Sequence, residues 1–325
     1  MTPAAARQGE ALPVIVVGGP TASGKSALAI DLAERLDGVV VNADSMQVYR
    51  DLHLLTARPS PEDEARVPHR LFGVLDGAEV CSAARWRALA LDEIAAAHAA
   101  GRRAIVVGGT GLYLRALMSG IAAVPPIPEA VRAAARKRHA ATGGAAFHAA
   151  LAARDPAMAA RLAPGDSQRL VRAWEVLEAT GRSLADWQAD AVADTPFAFD
   201  VVLLLPPRDV LYAACDRRFV AMVEGGAVEE VRALTDRVAA GEVATVAPLL
   251  KALGVPELRA YLRGKIGRDA MIAAAQQATR RFAKRQTTWF RHQVPADATP
   301  PLRRVLRTDE KYSVALTEEI FLKIS

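Results

Sequence analysis

Cysteine is nearly absent from this chain: Cys81 and Cys215 are the only two in 325 residues. Two thiols cannot build a disulfide framework or a four-thiolate zinc site, and they suit a reducing compartment. Long apolar runs are missing as well. No stretch approaches about 18 uninterrupted apolar residues, so a membrane span is not expected. The N-terminus from Met1 to Pro13 contains Arg7 and lacks the apolar centre of a secretory signal, so a cytoplasmic location is expected. Aromatic residues make up only 5% of the chain, and charge of one sign is not in large excess, with 41 Lys+Arg against 36 Asp+Glu. A charged share of 24% is ordinary for a folded soluble protein and excludes disorder as the main state. No fixed period recurs, which excludes a repeat array.

What is present is a hydrophobic fraction of 51%, ample for a sizeable core in one large domain or two ordinary ones. The small basic surplus is localised. Residues 251–291 hold ten Lys/Arg against Glu257 and Asp269, so the rest of the chain is slightly acidic. A surplus confined to one C-terminal stretch reads as a polyanion-facing surface, although charge alone fits a solvated helix face equally well.

The first strand expected is Val14-Ile15-Val16-Val17-Gly18, a β-branched run stopped by glycine. A glycine-rich turn and an amphipathic helix from Ser26 to about Leu36 follow. Val39-Val40-Val41 forms a second strand, and a helix is expected from Ala83 to Ala100, ended by Gly101. Ala104-Ile105-Val106-Val107 forms the third strand and leads through Gly108 to a helix with Tyr113, Leu114 and Leu117. Val201-Val202-Leu203-Leu204-Leu205 forms the fourth. Continuous apolar strands alternating with helices indicate an α/β fold, a mostly parallel sheet flanked by helices. Between the third and fourth strands, Pro125-Pro126-Ile127-Pro128 is a stiff connector into an Ala-rich stretch without a strand candidate. One helix there runs from a Ser167 cap to Ala179 and stops at Gly181. The organisation expected is a core in two parts, 13–120 and 198–315, the second with a basic C-terminal helix, and a small all-helical insertion at 121–197.

Gly19-Pro20-Thr21-Ala22-Ser23-Gly24-Lys25-Ser26 satisfies G-x4-G-K-[ST], the nucleotide-binding P-loop pattern, between a strand and a helix as that pattern requires. Loop N–H groups and the positive helix end surround a phosphate, Lys25 adds a charge, and the Ser26 hydroxyl is placed for Mg²⁺. The pattern specifies a polyphosphate without naming it. Asp44 follows an apolar strand at the same sheet edge, where ligands of such sheets bind. It suits a Mg²⁺-binding carboxylate or a general base, and spacing does not separate the two. Gly109-Thr110-Gly111 makes a second strand-to-helix turn at that edge, whose threonine could donate to a leaving oxygen. On the insertion helix, Arg169 and Arg172 lie one turn apart beside Gln168, a face suited to phosphates or to plain solvation. Arg280 to His292 holds five Lys/Arg and no acid, interleaved with Trp289 and Phe290. That composition suits a nucleic-acid backbone, and the same aromatics, Phe282 and Trp289 first, suit the buried side of a helix.

With these residues in view, the chain resembles the bacterial tRNA dimethylallyltransferases. The resemblance is carried by Gly19–Ser26, Asn42-Ala-Asp-Ser-Met-Gln-Val-Tyr49, Val67-Pro-His-Arg-Leu71, Val107-Gly-Gly-Thr-Gly-Leu-Tyr113, Gln168-Arg-Leu-Val-Arg172 and Lys284-Arg-Gln-Thr-Thr-Trp-Phe-Arg291. It implies transfer of a dimethylallyl group from its diphosphate to N6 of the adenosine beside the anticodon, position 37, with Mg²⁺ and loss of diphosphate. The P-loop residues would then hold an isoprenoid diphosphate. By resemblance, Asp44 is the base, and Thr110 and Arg218, with Arg217 the near alternative, meet the diphosphate. The same resemblance assigns tRNA contacts to Asp44, Ser45, Met46, Gln47, Thr110 and Arg132, to Gln168, Arg169, Leu170, Val171 and Arg172, and to Lys284, Arg285, Gln286, Thr287, Thr288, Trp289, Phe290 and Arg291. The implied partners are the tRNA anticodon stem-loop and dimethylallyl diphosphate, with no membrane, and a monomer is expected.

The chain departs from the family at Ala252-Leu-Gly-Val-Pro256, where many members carry an Ala-Ile-Gly-Tyr-Lys-like segment, and at Ala214-Cys215, where an arginine-isoleucine pair is common. Two cysteines also leave no place for the C-terminal zinc finger of eukaryotic relatives. Two other activities fit parts of the sequence: a P-loop kinase acting on a small metabolite, and an RNA-binding protein switched by a nucleotide. The kinase would use Gly19–Ser26 and Asp44 but leave the basic C-terminal helix and the insertion arginines idle.

Overall fold

The computed structural model describes residues 13–190, 195–295 and 298–324. Within them the chain forms two compact units, residues 13–118 with 195–295 and 298–324, and residues 119–190. In the first unit, β1 (Val14–Gly18), α1 (Lys25–Arg35) and β2 (Gly38–Asn42) lead to α2 (Pro61–Arg66) and β3 (His69–Arg70). Then come α3 (Ala83–Ala99), β4 (Arg103–Gly108) and α4 (Gly111–Ser119). The second unit holds α5 (Glu129–Arg154), α6 (Pro156–Ala159), α7 (Ser167–Thr180) and α8 (Leu184–Ala189). The chain then returns to the first unit with β5 (Phe199–Leu204), α9 (Arg208–Glu224), α10 (Ala227–Ala239), α11 (Val255–Leu262), α12 (Arg268–Gln293), β6 (Leu302–Thr308) and α13 (Val314–Ile324).

Six strands form one sheet in the order β3-β2-β4-β1-β5-β6, and every pairing is parallel. The period-2 rule divides its apolar side chains between two cores. Val14, Val16, Val41, Val106, Val201 and Leu203 face a core with Trp86, Ile94, Leu114 and Phe290. Ile15, Val17, Val40, Ile105, Val202 and Leu204 face another with Leu28 and Leu32 of α1 and Leu316, Ile320 and Ile324 of α13. Burial on both faces is why these strands read as unbroken apolar runs.

Two strands escaped the sequence reading, as did α2, α9, α10, α11 and α13. β3 is only two residues long, and β6 reads Leu-Arg-Arg-Val-Leu-Arg-Thr, in which arginines mask the alternation. Such charge on an edge strand guards it against pairing with another chain. The helix α13 carries the first unit past residue 315. In the second unit Ser167 is the first helical residue of α7, and Asp166 occupies the cap position without a side-chain cap bond.

The longest helix of the first unit, α12, has to lie close against the carboxyl edge of the sheet. Phe290, fully buried, fills the space beside Gly18, where an added Cβ would stand 2.8 Å from its ring. Trp289 covers Gly111, whose added Cβ would be 2.3 Å from the indole, and Gln286 covers Gly109 at 2.2 Å. Residues 286, 289 and 290 share one helix face by their i, i+3, i+4 spacing. Gly111→Ala should therefore cost about 1–3 kcal/mol through overpacking against Trp289. Gly165→Ala, whose Cβ meets nothing, should stay within about 0.5 kcal/mol of the parent; urea unfolding of the two variants checks the contrast.

Candidate active site

β1 ends at Gly18, and the chain turns through Gly19–Gly24 into α1. Ala22 has φ 63° and Gly24 φ 92°, so the loop curls through left-handed positions that turn backbone N–H groups inward. Gly24 sits at the N-cap of α1 with no side-chain cap bond, which leaves the first-turn N–H groups of the helix for an anion. The buried Ser23 hydroxyl finds no hydrogen-bond partner among the described residues. Tyr312 lies over Gly24, whose added Cβ would be 2.4 Å from the tyrosine Cβ.

Lys25 is partly buried, its Nζ 3.3 Å from the Pro20 carbonyl. Burial pushes its ammonium down to about 8; the Asp44 carboxylate opposes that shift and the Arg218 guanidinium adds to it. Arg218 reaches the loop directly, donating to the Thr21 hydroxyl, while its neighbour Arg217 is exposed. The Cys215 thiol, one turn earlier on α9, donates to the Thr21 carbonyl at 3.8 Å. The loop thus gathers two cations, Lys25 and Arg218.

The second strand delivers Asp44 through a built turn. Asn42 is fully buried. Its Oδ1 accepts from the Asp44 N–H at 2.8 Å, and its Nδ2 donates to the Asp44 and Leu71 carbonyls, each at 3.0 Å. The Trp86 indole N–H donates to the Asn42 carbonyl at 2.8 Å, and Trp86 stacks on Tyr113 with ring centroids 4.5 Å apart. Asp44 then accepts from the Met46 N–H at 2.9 Å, which fixes its carboxylate in a local turn. Thr110 is tied to the same turn: its hydroxyl accepts from the Ser45 N–H at 3.0 Å and lies 3.3 Å from the Ser45 hydroxyl.

The expected tRNA-contacting residues divide sharply. Lys284, Arg285, Thr288 and Arg291 are exposed on α12, and Thr287 and Trp289 partly so. Phe290 is fully buried beside Gly18, so direct contact with RNA is corrected to a core role. Gln286 also turns inward, 6% exposed. Gln47 spends its amide N–H groups on the Thr56 and Ala57 carbonyls, both at 2.8 Å, and so holds its own loop. In the second unit Gln168 and Arg169 are exposed, the latter 3.6 Å from Asp166, and Arg172 lies 3.5 Å from Glu175. Leu170 is fully buried, which corrects it from a contact residue to a packing residue, while Val171 packs against the same helical core and is partly exposed. Arg132 is partly buried, its Nε without a partner among the described residues. Asn42 and Trp86, which shape the aspartate turn, were not singled out from sequence; the only signal was an amide at the end of an apolar strand.

The basic balance of the region has a direct test. Bound diphosphate favours the Lys25 ammonium, and in the free protein that charge is lost as pH rises through about 8. Affinity for an organic diphosphate that is fully ionised in this range should be greatest below pH 8 and weaken above it. Lys25→Arg, which keeps its charge, should flatten that profile; calorimetric titration between pH 7 and 9.5 measures both.

Comparison with known proteins identifies the family. The sequence pattern of the family described as IPP transferase matches residues 47–293. A tRNA dimethylallyltransferase of Rhodospirillum centenum is 61% identical over 286 residues, 87% of this chain and 90% of that one. The Paramagnetospirillum magneticum protein of that name is 53% identical over 313 residues, 96% of each chain. Among solved structures, the tRNA isopentenylpyrophosphate transferase of Bacillus halodurans superposes with a TM-score of 0.67 at 32% identity, over 96% of this chain and 95% of that one. A eukaryotic dimethylallyltransferase acting on tRNA gives a TM-score of 0.74 at 26% identity, over 86% of this chain and 70% of its own. On this evidence, and on the glycine loop, aspartate turn and basic helix described above, the chain belongs to the IPP transferase family.

Proposed function

We propose that this chain transfers the dimethylallyl group of dimethylallyl diphosphate to N6 of the adenosine at tRNA position 37, beside the anticodon. The observation that supports this reading is the convergence of Lys25, Arg218 and Asp44 at one loop: two cations lie beside a carboxylate held by backbone. A kinase would need the loop for ATP, and the relatives, named for transfer of an isoprenoid group to tRNA, do not favour it. Being a tRNA enzyme, the chain acts in the cytoplasm, as a monomer and without a membrane; none of its described helices is long and apolar enough to cross one.

Chemically the difficulty is twofold. An aromatic amine is a weak nucleophile, and a diphosphate departs with charge that must be spread. Asp44 takes the proton from N6 as nitrogen bonds to C1 of the dimethylallyl group. The C1–O bond breaks, and the diphosphate leaves into the N–H groups of the loop, Lys25 and Arg218. The Thr110 hydroxyl, which accepts from Ser45, keeps one proton that can swing to the leaving oxygen. The target base must be drawn out of the anticodon stack, at about a few kcal/mol. Phosphate contacts from Lys284, Arg285 and Arg291, and from Arg132, Gln168, Arg169 and Arg172, offset that cost.

Mg²⁺ fits the residues present. Ser26, an exposed residue on the first turn of α1, offers one hydroxyl oxygen. A hard oxygen donor of that kind suits a Mg²⁺ that would take its remaining ligands from a diphosphate and water. When bound it would neutralise charge on the leaving group, with Ser26 as its protein ligand.

Incubation with Mg²⁺, labelled dimethylallyl diphosphate and unmodified tRNA should place label in the anticodon loop; ATP turnover on a small acceptor without labelled tRNA would favour the kinase. Asp44→Ala should slow turnover by roughly 10²–10⁴ and leave diphosphate affinity largely intact. A collapse of donor affinity in that variant would instead make Asp44 a metal ligand.

A further inference from the structure

Gln286 sits in the middle of the basic stretch of α12, yet its side chain points away from solvent. Its Oε1 accepts from the Thr21 N–H at 2.9 Å, and its Nε2 donates to the Gly109 carbonyl at 2.8 Å. Thr21 lies in the diphosphate loop and Gly109 immediately precedes Thr110, so one amide joins the two loops that flank the reacting centre. The partners demand this residue type. Thr21 offers a donor and Gly109 an acceptor, and a primary amide presents an acceptor and a donor from one planar group, as neither a carboxylate nor an ammonium can. The partners also settle which end of the amide is oxygen.

The bridge continues on both sides. Arg218 donates to the side chain of Thr21. Beyond Gly109, the Thr110 N–H donates to the Ala43 carbonyl at 3.3 Å and the Thr110 hydroxyl accepts from the Ser45 N–H. A continuous run of hydrogen bonds therefore leads from the diphosphate loop through Gln286 to the turn that carries Asp44. Glycine at 109 is what admits the amide, since an added Cβ would stand 2.2 Å from Nε2.

We propose that Gln286 is a positioning residue that sets the diphosphate loop relative to the Gly109–Thr110 turn, and so ties donor binding to the helix whose outer face meets tRNA. It acts through Thr21 and Gly109 and touches neither substrate. This rests on the reading that the loop holds the donor's diphosphate. A buried bridge between two loops differs from a residue that only stabilises α12. Losing the bridge should loosen the Thr21 amide and weaken donor binding, while the exposed cations Lys284 and Arg285 go on holding tRNA.

The test compares Gln286→Met and the isosteric Gln286→Glu with the parent, using dimethylallyl thiolodiphosphate with Mg²⁺ as the donor probe and unmodified tRNA as the acceptor. In Gln286→Met, probe affinity should fall tenfold or more, hydrogen exchange at the Thr21 amide should accelerate, and tRNA affinity should stay within twofold. Gln286→Glu, which keeps an acceptor for Thr21 but faces Gly109 with a second one, should weaken the probe as well and serves if the first variant does not fold. Probe affinity within twofold of the parent in either folded variant overturns the proposal, as does a parallel fall in tRNA and probe affinity. A parent protein that transfers no label to tRNA would count against prenyl transfer itself, and the two failures are thereby distinguished.

Discussion

Three side chains on one face of α12 are seated on three glycines at the carboxyl edge of the sheet, and the site is built on that seating. Phe290 rests beside Gly18, Trp289 on Gly111 and Gln286 on Gly109, each at a distance that a Cβ would forbid. The glycines are commonly read as room for a ligand to approach the backbone. Here all three make room for a helix, which brings the basic face of α12 to the same edge as the glycine loop. The geometry explains why a stretch rich in arginine can belong to the fold and still keep a charged face for the proposed tRNA contact. The inner face is apolar or amide and satisfied, and the outer face keeps Lys284, Arg285 and Arg291 in water.

Electrostatics gives the site its direction. Lys25 and Arg218 are held near one another at a loop whose uncapped helix end adds further positive potential. Burial is the main reason the Lys25 ammonium is pushed down, with the nearby Arg218 guanidinium adding to it and the Asp44 carboxylate opposing it. Asp44 is kept in place by Asn42 and the Met46 N–H, and among the described residues it forms no ion pair. A carboxylate oriented by backbone is free of a fixed cation, which is what the proposed role as a base requires. In contrast, Asp216 is occupied by Arg280, whose Nη1 lies 2.7 and 2.8 Å from its oxygens, so one cation of the basic stretch serves packing of α9 on α12.

Much of this was legible in the sequence because its signals are local. β1, β2, β4 and β5 announce themselves as continuous apolar runs, and the loop from Gly19 to Ser26 carries its chemistry in its spacing. The small helical unit was visible as an Ala-rich stretch without strands, and its described residues contain none. β6 was hidden because an edge strand with three arginines has the composition of a loop, and β3 because two residues make no pattern. The inward turn of Gln286, Phe290 and Leu170 was hidden for another reason. A motif gives order along the chain, whereas the face each residue presents is decided by partners far away, 265 residues in the case of Gln286 and Thr21. The role of Asn42 is a tertiary fact of the same kind, resting on Leu71 and Trp86.

The central claim is that the glycine loop grips the leaving group while Asp44 faces the attacking amine. A crystal structure with Mg²⁺, an unreactive thiolodiphosphate analogue and the anticodon stem-loop tests it most directly. The account requires the diphosphate among the N–H groups of residues 22–26, within hydrogen-bonding reach of Lys25 and Arg218, and an everted adenine with N6 at the Asp44 carboxylate. A headgroup bound away from Lys25 and Ser26, or an adenine whose N6 is remote from Asp44, would contradict it.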